Sequence, residues 1–120
     1  MRKIIVLAIG ALLISMPARA DTIISNTYKG CYIAMMDTGE KTDEKYCIRL
    51  REFFMASNEE DRLDDCLNVV AGYWNTHNHR DIGALLPDRV TRRVVKGCAM
   101  MVYNVSEDVA EKAWNATHNH

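Results

Sequence analysis

The sequence predicts an all-α fold, a compact bundle of about five short helices braced by two disulfides. Three observations lead there. Apolar residues recur at three- and four-residue intervals nearly throughout, and no convincing alternating stretch appears. The chain opens on a secretory signal, which assigns the mature part to an oxidising compartment. Its four cysteines, an even number, all lie beyond that signal.

The signal is read from its three parts. Arg2 and Lys3 make a positive start, Ile4 to Ser15 is apolar, and Pro17-Ala18-Arg19-Ala20 supplies a small-x-small cleavage site. The apolar run falls short of the roughly 20 residues of a membrane span, so stable membrane insertion is not expected. Residues 1–20 are therefore expected to be a signal peptide, and 21–120 a single helical domain beginning at Asp21. No cysteine comes directly after the cleavage point, so a lipid anchor is not indicated. The expected location is the periplasm. Loss of the signal leaves 12 basic against 16 acidic residues, a net charge of −4. That balance argues against a nucleic-acid partner, which calls for a clustered basic face. The one basic cluster, Arg89, Arg92, Arg93 and Lys96, has the spacing of the solvated side of a helix.

The first helix is expected over Thr22 to Met36, with Ile24, Tyr28, Cys31 and Met35 on its apolar face. Gly30 inside it costs about 1 kcal/mol relative to alanine. Asp37-Thr38-Gly39 ends it, with Gly39 suited to a left-handed cap. Thr42 or Asp43 caps the second helix, whose apolar face is Tyr46, Cys47, Leu50, Phe53 and Phe54. Ser57-Asn58-Glu59-Glu60 reads as a capping box for the third, burying Leu63, Cys66, Leu67, Val70, Tyr73 and Trp74. Residues 78–86 are a connection. Pro87 fits the first position of a fourth helix, with Val90, Val94, Cys98, Met101 and Val105 facing inward. Ser106 caps a fifth, with Val109, Ala110, Ala113 and Trp114 inward.

The cysteines constrain this bundle. Cys31 and Cys47 are nearly equidistant from the turn at Gly39, and Cys66 and Cys98 from Ile82. In antiparallel neighbours, equal distance from the turn means equal height, so Cys31–Cys47 with Cys66–Cys98 is the natural pairing. Cys47 and Cys66 also flank Ser57 almost evenly, which leaves Cys47–Cys66 with Cys31–Cys98 open. No C-x-x-C occurs, so a thioredoxin-like redox role is not expected.

Few residues invite chemistry. Trp74-Asn75-Thr76-His77-Asn78-His79 is echoed by Trp114-Asn115-Ala116-Thr117-His118-Asn119-His120, and each segment holds a His-x-His. Four imidazoles can bind zinc or copper, but residues two apart on a helix diverge by about 200°, so polar helix ends are the expected reading and no metal site or cofactor is assigned. The methionines, at helical spacing, read as core filling. The acids Glu59, Glu60, Asp61, Asp64 and Asp65 suit the start of a helix rather than acid–base catalysis. No nucleophile elbow is present, and no enzymatic activity is expected.

Part of the chain resembles a known family. Gly30-Cys31-Tyr32-Ile33-Ala34-Met35-Met36, then Gly39, then Cys47-Ile48-Arg49-Leu50-Arg51-Glu52-Phe53-Phe54, then Arg62-Leu63-Asp64-Asp65-Cys66 is similar to the TrbM/KikA family of small exported proteins encoded with conjugative plasmid transfer systems. The shared elements are the signal, a cysteine before a glycine turn, a second cysteine followed by a phenylalanine pair, and a later cysteine. The doubled cysteine that many members carry near the first site is absent here. The resemblance implies a periplasmic accessory role in conjugation, a type IV secretion process, exercised through contacts with other proteins of that machinery. The competing expectations are an immunity or inhibitor protein against a secreted toxin, and a His-x-His metal binder. The aromatic and methionine content also allows a homodimer.

Overall fold

The computed structural model describes residues 22–118. The expected signal peptide, together with Asp21, Asn119 and His120, lies outside the described residues. Those residues form five helices and no strand. Helix α1 is helical over 22–34. It is followed by α2 (Glu44–Met55), a short 3-10 turn (Glu59–Asp61), α3 (Arg62–His77), α4 (Asp88–Tyr103) and α5 (Glu107–His118). No helix among the described residues is long and apolar enough to cross a membrane.

The helix ends obey local chemistry. After residue 34 the backbone turns. The Thr38 hydroxyl donates to the Met35 carbonyl at 2.7 Å, and Asp37 and Gly39 both adopt left-handed φ, at 63° and 81°. The carboxylate of Asp43 accepts from the Tyr46 amide at 2.8 Å and opens α2. The expected capping box at Ser57 is not formed. The 3-10 turn intervenes before α3, and the Ser57 hydroxyl donates to the Asp65 carboxylate, 8 residues on, at 2.5 Å instead of accepting from the Glu60 amide. Pro87 sits one residue outside α4, with its carbonyl accepting from Val90 and Thr91. Ser106 opens α5 by accepting from the Val109 amide at 3.3 Å.

Helix α4 is the centre of the bundle. It packs against α2, α3 and α5, and buries Val90, Val94, Gly97, Cys98, Met100, Met101 and Val102. Phe54, Val70 and Trp74 meet it from α2 and α3 within one apolar core. Adjacent apolar residues are divided by helix geometry. Of Phe53–Phe54, Tyr73–Trp74 and Val109–Ala110, the second member is buried each time and the first is exposed. Successive side chains point about 100° apart, so one narrow contact face cannot take both. Phe53 instead rests edge-on against Phe54, with ring centroids 5.6 Å apart.

The largest departure from expectation is the face that α1 turns inward. Tyr28 is exposed, and the buried residues are Asn26, Thr27, Gly30, Cys31, Ala34 and Met35. The reason is a backbone-to-backbone crossing with α4. A Cβ added to Gly30 would lie 2.6 Å from the Gly97 carbonyl oxygen and 2.7 Å from Met100 Cβ. One added to Gly97 would overlap the Gly30 carbonyl and lie 2.7 Å from Ala34 Cβ. Small residues here let two helix axes approach closer than side chains permit, and that approach turns Tyr28 to solvent. Gly30 is therefore a packing residue as well as a cost to the helix. The crossing is closed at one end by Asn26, whose amide donates to Asn104 Oδ1 at 2.9 Å, at the left-handed residue that ends α4.

Two disulfides, Cys31–Cys47 and Cys66–Cys98, join α1 to α2 and α3 to α4, with Cα atoms 5.8 Å and 5.9 Å apart. All four cysteines are fully buried, and no free cysteine remains.

Candidate interaction surface

Two mainly apolar hollows flank α4. One cavity of about 300 Å³ lies between α3, α4 and the 78–86 connection, lined by Leu67, Ala71, Leu85, Val94 and Val95 among others. A second, of about 400 Å³, is bounded by Leu63, Val95, Ala99, Tyr103, Val109 and Trp114. Val95 lines both, and Leu63 and Leu67 are one helical turn apart on α3. The two hollows therefore belong to one apolar face, with α4 as its ridge.

The connection adds two projecting side chains to this face. Leu85 is 89% exposed and Ile82 72%. Their backbone is nevertheless fixed from below by Asn75, which is fully buried. The Asn75 amide donates to the carbonyls of Ile82 (3.3 Å) and Ala84 (2.8 Å), and its Oδ1 accepts from Arg80 Nη1 at 3.1 Å. Arg80 then donates through Nη2 to the Leu85 carbonyl at 2.9 Å and lies over the Trp74 ring, 5.4 Å from its centroid. One buried amide thus holds both arms of the loop. Asn75→Ala is expected to cost about 2 kcal/mol, because the part-buried Ile82 and Ala84 carbonyls lose their donor and a fully buried side chain is truncated. Amide hydrogen exchange across 80–86 should accelerate in that variant, and an unchanged exchange pattern would contradict the role given to Asn75.

Charged side chains border a further hollow of about 560 Å³, lined by Asp88, Arg89, Thr91, Arg92, Trp114 and His118. Of the basic cluster on α4, three members are paired across elements. Arg92 meets Glu111, Lys96 meets both Glu107 and Glu111 at 3.1 Å, and Arg93 meets Asp37 at 3.3 Å. The exposed pairs contribute at most about 1 kcal/mol each, and together the pairs offset the charge of Arg92, Arg93 and Lys96. The expected acids are dispersed along the 3-10 turn and the start of α3.

Each histidine segment is occupied locally. The His77 ring lies against Gly39, where an added Cβ would fall 2.5 Å from Nδ1. His79 takes a left-handed conformation, φ 58°. His118 stacks on Trp114 with centroids 3.4 Å apart, and its Nδ1 donates to the Trp114 carbonyl at 3.0 Å. His120 is outside the described residues. Among the described residues no group of three or more His, Cys, Asp or Glu side chains is arranged to hold a metal ion.

One titration is displaced. Burial, reinforced by the nearby Glu40 carboxylate, raises the Tyr46 phenol from 10.0 to about 12. The neutral phenol is the form the fold prefers, so this tyrosine adds no pH-dependence below about pH 10. Between pH 10 and 12 the unfolded chain loses the proton first, and stability falls. Alkaline titration of tyrosine absorbance should show one late phenol, absent in Tyr46→Phe; its persistence in that variant would contradict the assignment.

No family model matches the chain, and neither a curated protein nor a solved structure matches it.

Proposed function

We propose that this chain is an exported accessory protein of a conjugative transfer machine, a type IV secretion system, and that it acts by protein contact without catalysis of its own. The observation that carries this reading is the continuous apolar face along α4, with Leu85 held out on a pinned loop. Contact surfaces gain affinity from apolar anchors whose geometry is fixed before binding, because less freedom is then lost on association. Two buried disulfides suit a protein that must hold such a surface outside the cytoplasm. The residues around Cys31, Cys47 and Cys66 that are similar to the TrbM/KikA family point to conjugation as the setting. The partner is another protein of that machinery, offering an apolar segment to the grooves beside Val95.

Deletion of the gene from a transfer-competent plasmid should lower transfer frequency by an order of magnitude or more. The wild-type gene should restore it, while Leu85→Asp should not. Leu85 is almost wholly exposed, so that change should leave the melting temperature within a degree or two of wild type. Undiminished transfer after deletion would refute the conjugation reading. Full rescue by Leu85→Asp would refute this surface.

A further inference from the structure

The two disulfides join cysteines that are neighbours in the chain, Cys31 to Cys47 and Cys66 to Cys98, with no crossing or nesting. Loop statistics do not select this pattern. Cys31 and Cys47 are 16 residues apart, and Cys47 and Cys66 are only slightly further apart. Loop-closure entropy grows with the logarithm of length, so both pairs close almost equally readily in a full-length reduced chain. The order in which cysteines emerge does discriminate. In a chain delivered N-terminus first, Cys47 is the first thiol to reach Cys31, and Cys98 the first to reach Cys66 once that earlier pair is closed.

Burial sets when this must happen. All four cysteines are inaccessible in the folded domain, at 0% exposure. Exchange with an external thiol or disulfide therefore belongs to the chain before its helices pack. Cys47 and Cys66 flank Ser57 almost as evenly as the native partners flank their turns, so helix height alone does not reject that pair.

We propose that the chain is a substrate for a strongly oxidising dithiol–disulfide oxidoreductase that acts on it during export, and that it needs no disulfide isomerase. The Cys31 thiolate attacks the oxidant's disulfide, forming a mixed disulfide and releasing one oxidant thiolate. The Cys47 thiolate then attacks Cys31 Sγ, closing the bridge and releasing the oxidant as its dithiol. Cys66 and Cys98 repeat the sequence with a second oxidised equivalent. Each bridge gives up two electrons and two protons to the oxidant. The inference rests on the proposed export of the chain.

The test expresses the full chain in strains lacking either the periplasmic oxidant or the isomerase, traps thiols with an alkylating agent, and maps disulfides by mass spectrometry. Without the isomerase, Cys31–Cys47 and Cys66–Cys98 should form at wild-type yield. Without the oxidant, free thiols should appear and the amount of protein should fall severalfold. Cys47–Cys66 in mature protein from the isomerase-deficient strain overturns the inference and leaves export intact. Four free thiols in a chain that still carries residues 1–20 overturn the export reading, and the inference with it. A second arm takes protein recovered from wild-type cells, reduces and denatures it, and reoxidises the whole chain with glutathione disulfide. Early species should contain Cys47–Cys66 and Cys31–Cys47 in comparable amounts. Exclusive early formation of Cys31–Cys47 would show that the chain itself selects the pair, and overturns the role given to order of emergence.

Discussion

Replacing Cys66 and Cys98 together by alanine should destabilise the domain by about 4 kcal/mol, the largest effect expected of any paired change. The bridge spans 32 positions and ties α3 to α4, the two helices that supply most of the core. Without it the unfolded chain regains the freedom to separate those positions, which in the chain-entropy account is worth about 3.7 kcal/mol. The shorter Cys31–Cys47 link, spanning 16 positions, should be worth about 3 kcal/mol on the same account. Removing either pair therefore takes a large share of the roughly 5–15 kcal/mol that holds a small domain folded. Urea unfolding of the two double-alanine variants checks both the size and the order. The opposite ranking would show that native-state packing around Cys31, rather than loop length, dominates.

Gly97→Ala should lower stability by about 2–3 kcal/mol even though alanine is the better helix former by about 1 kcal/mol. The added methyl would overlap the Gly30 carbonyl and press on Ala34, and backbone atoms on a packed helix have little room to yield. Gly72 provides the control. It also lies inside a helix, α3, but a Cβ there would meet only Ile82 side-chain carbons, at 3.4 Å and 3.7 Å. Gly72→Ala should therefore gain about 0.5–1 kcal/mol from helix propensity. Two identical substitutions with opposite signs, read by thermal unfolding, would show that crossing distance, rather than helix preference, decides at residue 97. A stabilised Gly97→Ala would disprove the crossing.

The same two features, bridges and crossing, separate what was legible in the sequence from what was not. The helix class could be read because it depends on spacing along the chain, and the same spacing favoured the observed disulfide pairing while leaving Cys47–Cys66 with Cys31–Cys98 open. Equal distances of Cys31 and Cys47 from Gly39, and of Cys66 and Cys98 from Ile82, are linear quantities that an antiparallel bundle preserves. The face of α1 was legible only in part, since Cys31 and Met35 are buried as expected and Tyr28 is not. Hydrophobicity favours Tyr28 over Thr27 and Ala34, whereas the structure buries the small residues because Gly97, on a distant helix, offers a groove for them. The two glycines are visible one at a time, but nothing local says that they meet.

Asn75 was hidden for a related reason. It stands in a polar run, Asn75 to Arg80, that reads as a fraying helix end, yet it is the fully buried anchor of the adjoining loop. The interaction surface was missed with it. Leu67, Val95 and Ala99 read as ordinary helix positions, and only the placement of the loop and of α5 beside α3 and α4 makes them the lining of the two hollows. The histidine pairs were the more conspicuous signal in the sequence, but each is engaged by its own neighbours, Gly39 for His77 and Trp114 for His118.

The close meeting of α1 and α4 also sets a timetable. The first helix to be synthesised finds its seat only after the fourth has followed, so until then it waits with glycine and alanine bare to water. A small, weakly apolar strip is a poor target for aggregation during that wait, whereas a leucine-rich one would recruit strangers. A bridge to α2 that closes first, as proposed above, would act as a leash, keeping the waiting helix beside the place where its groove will form.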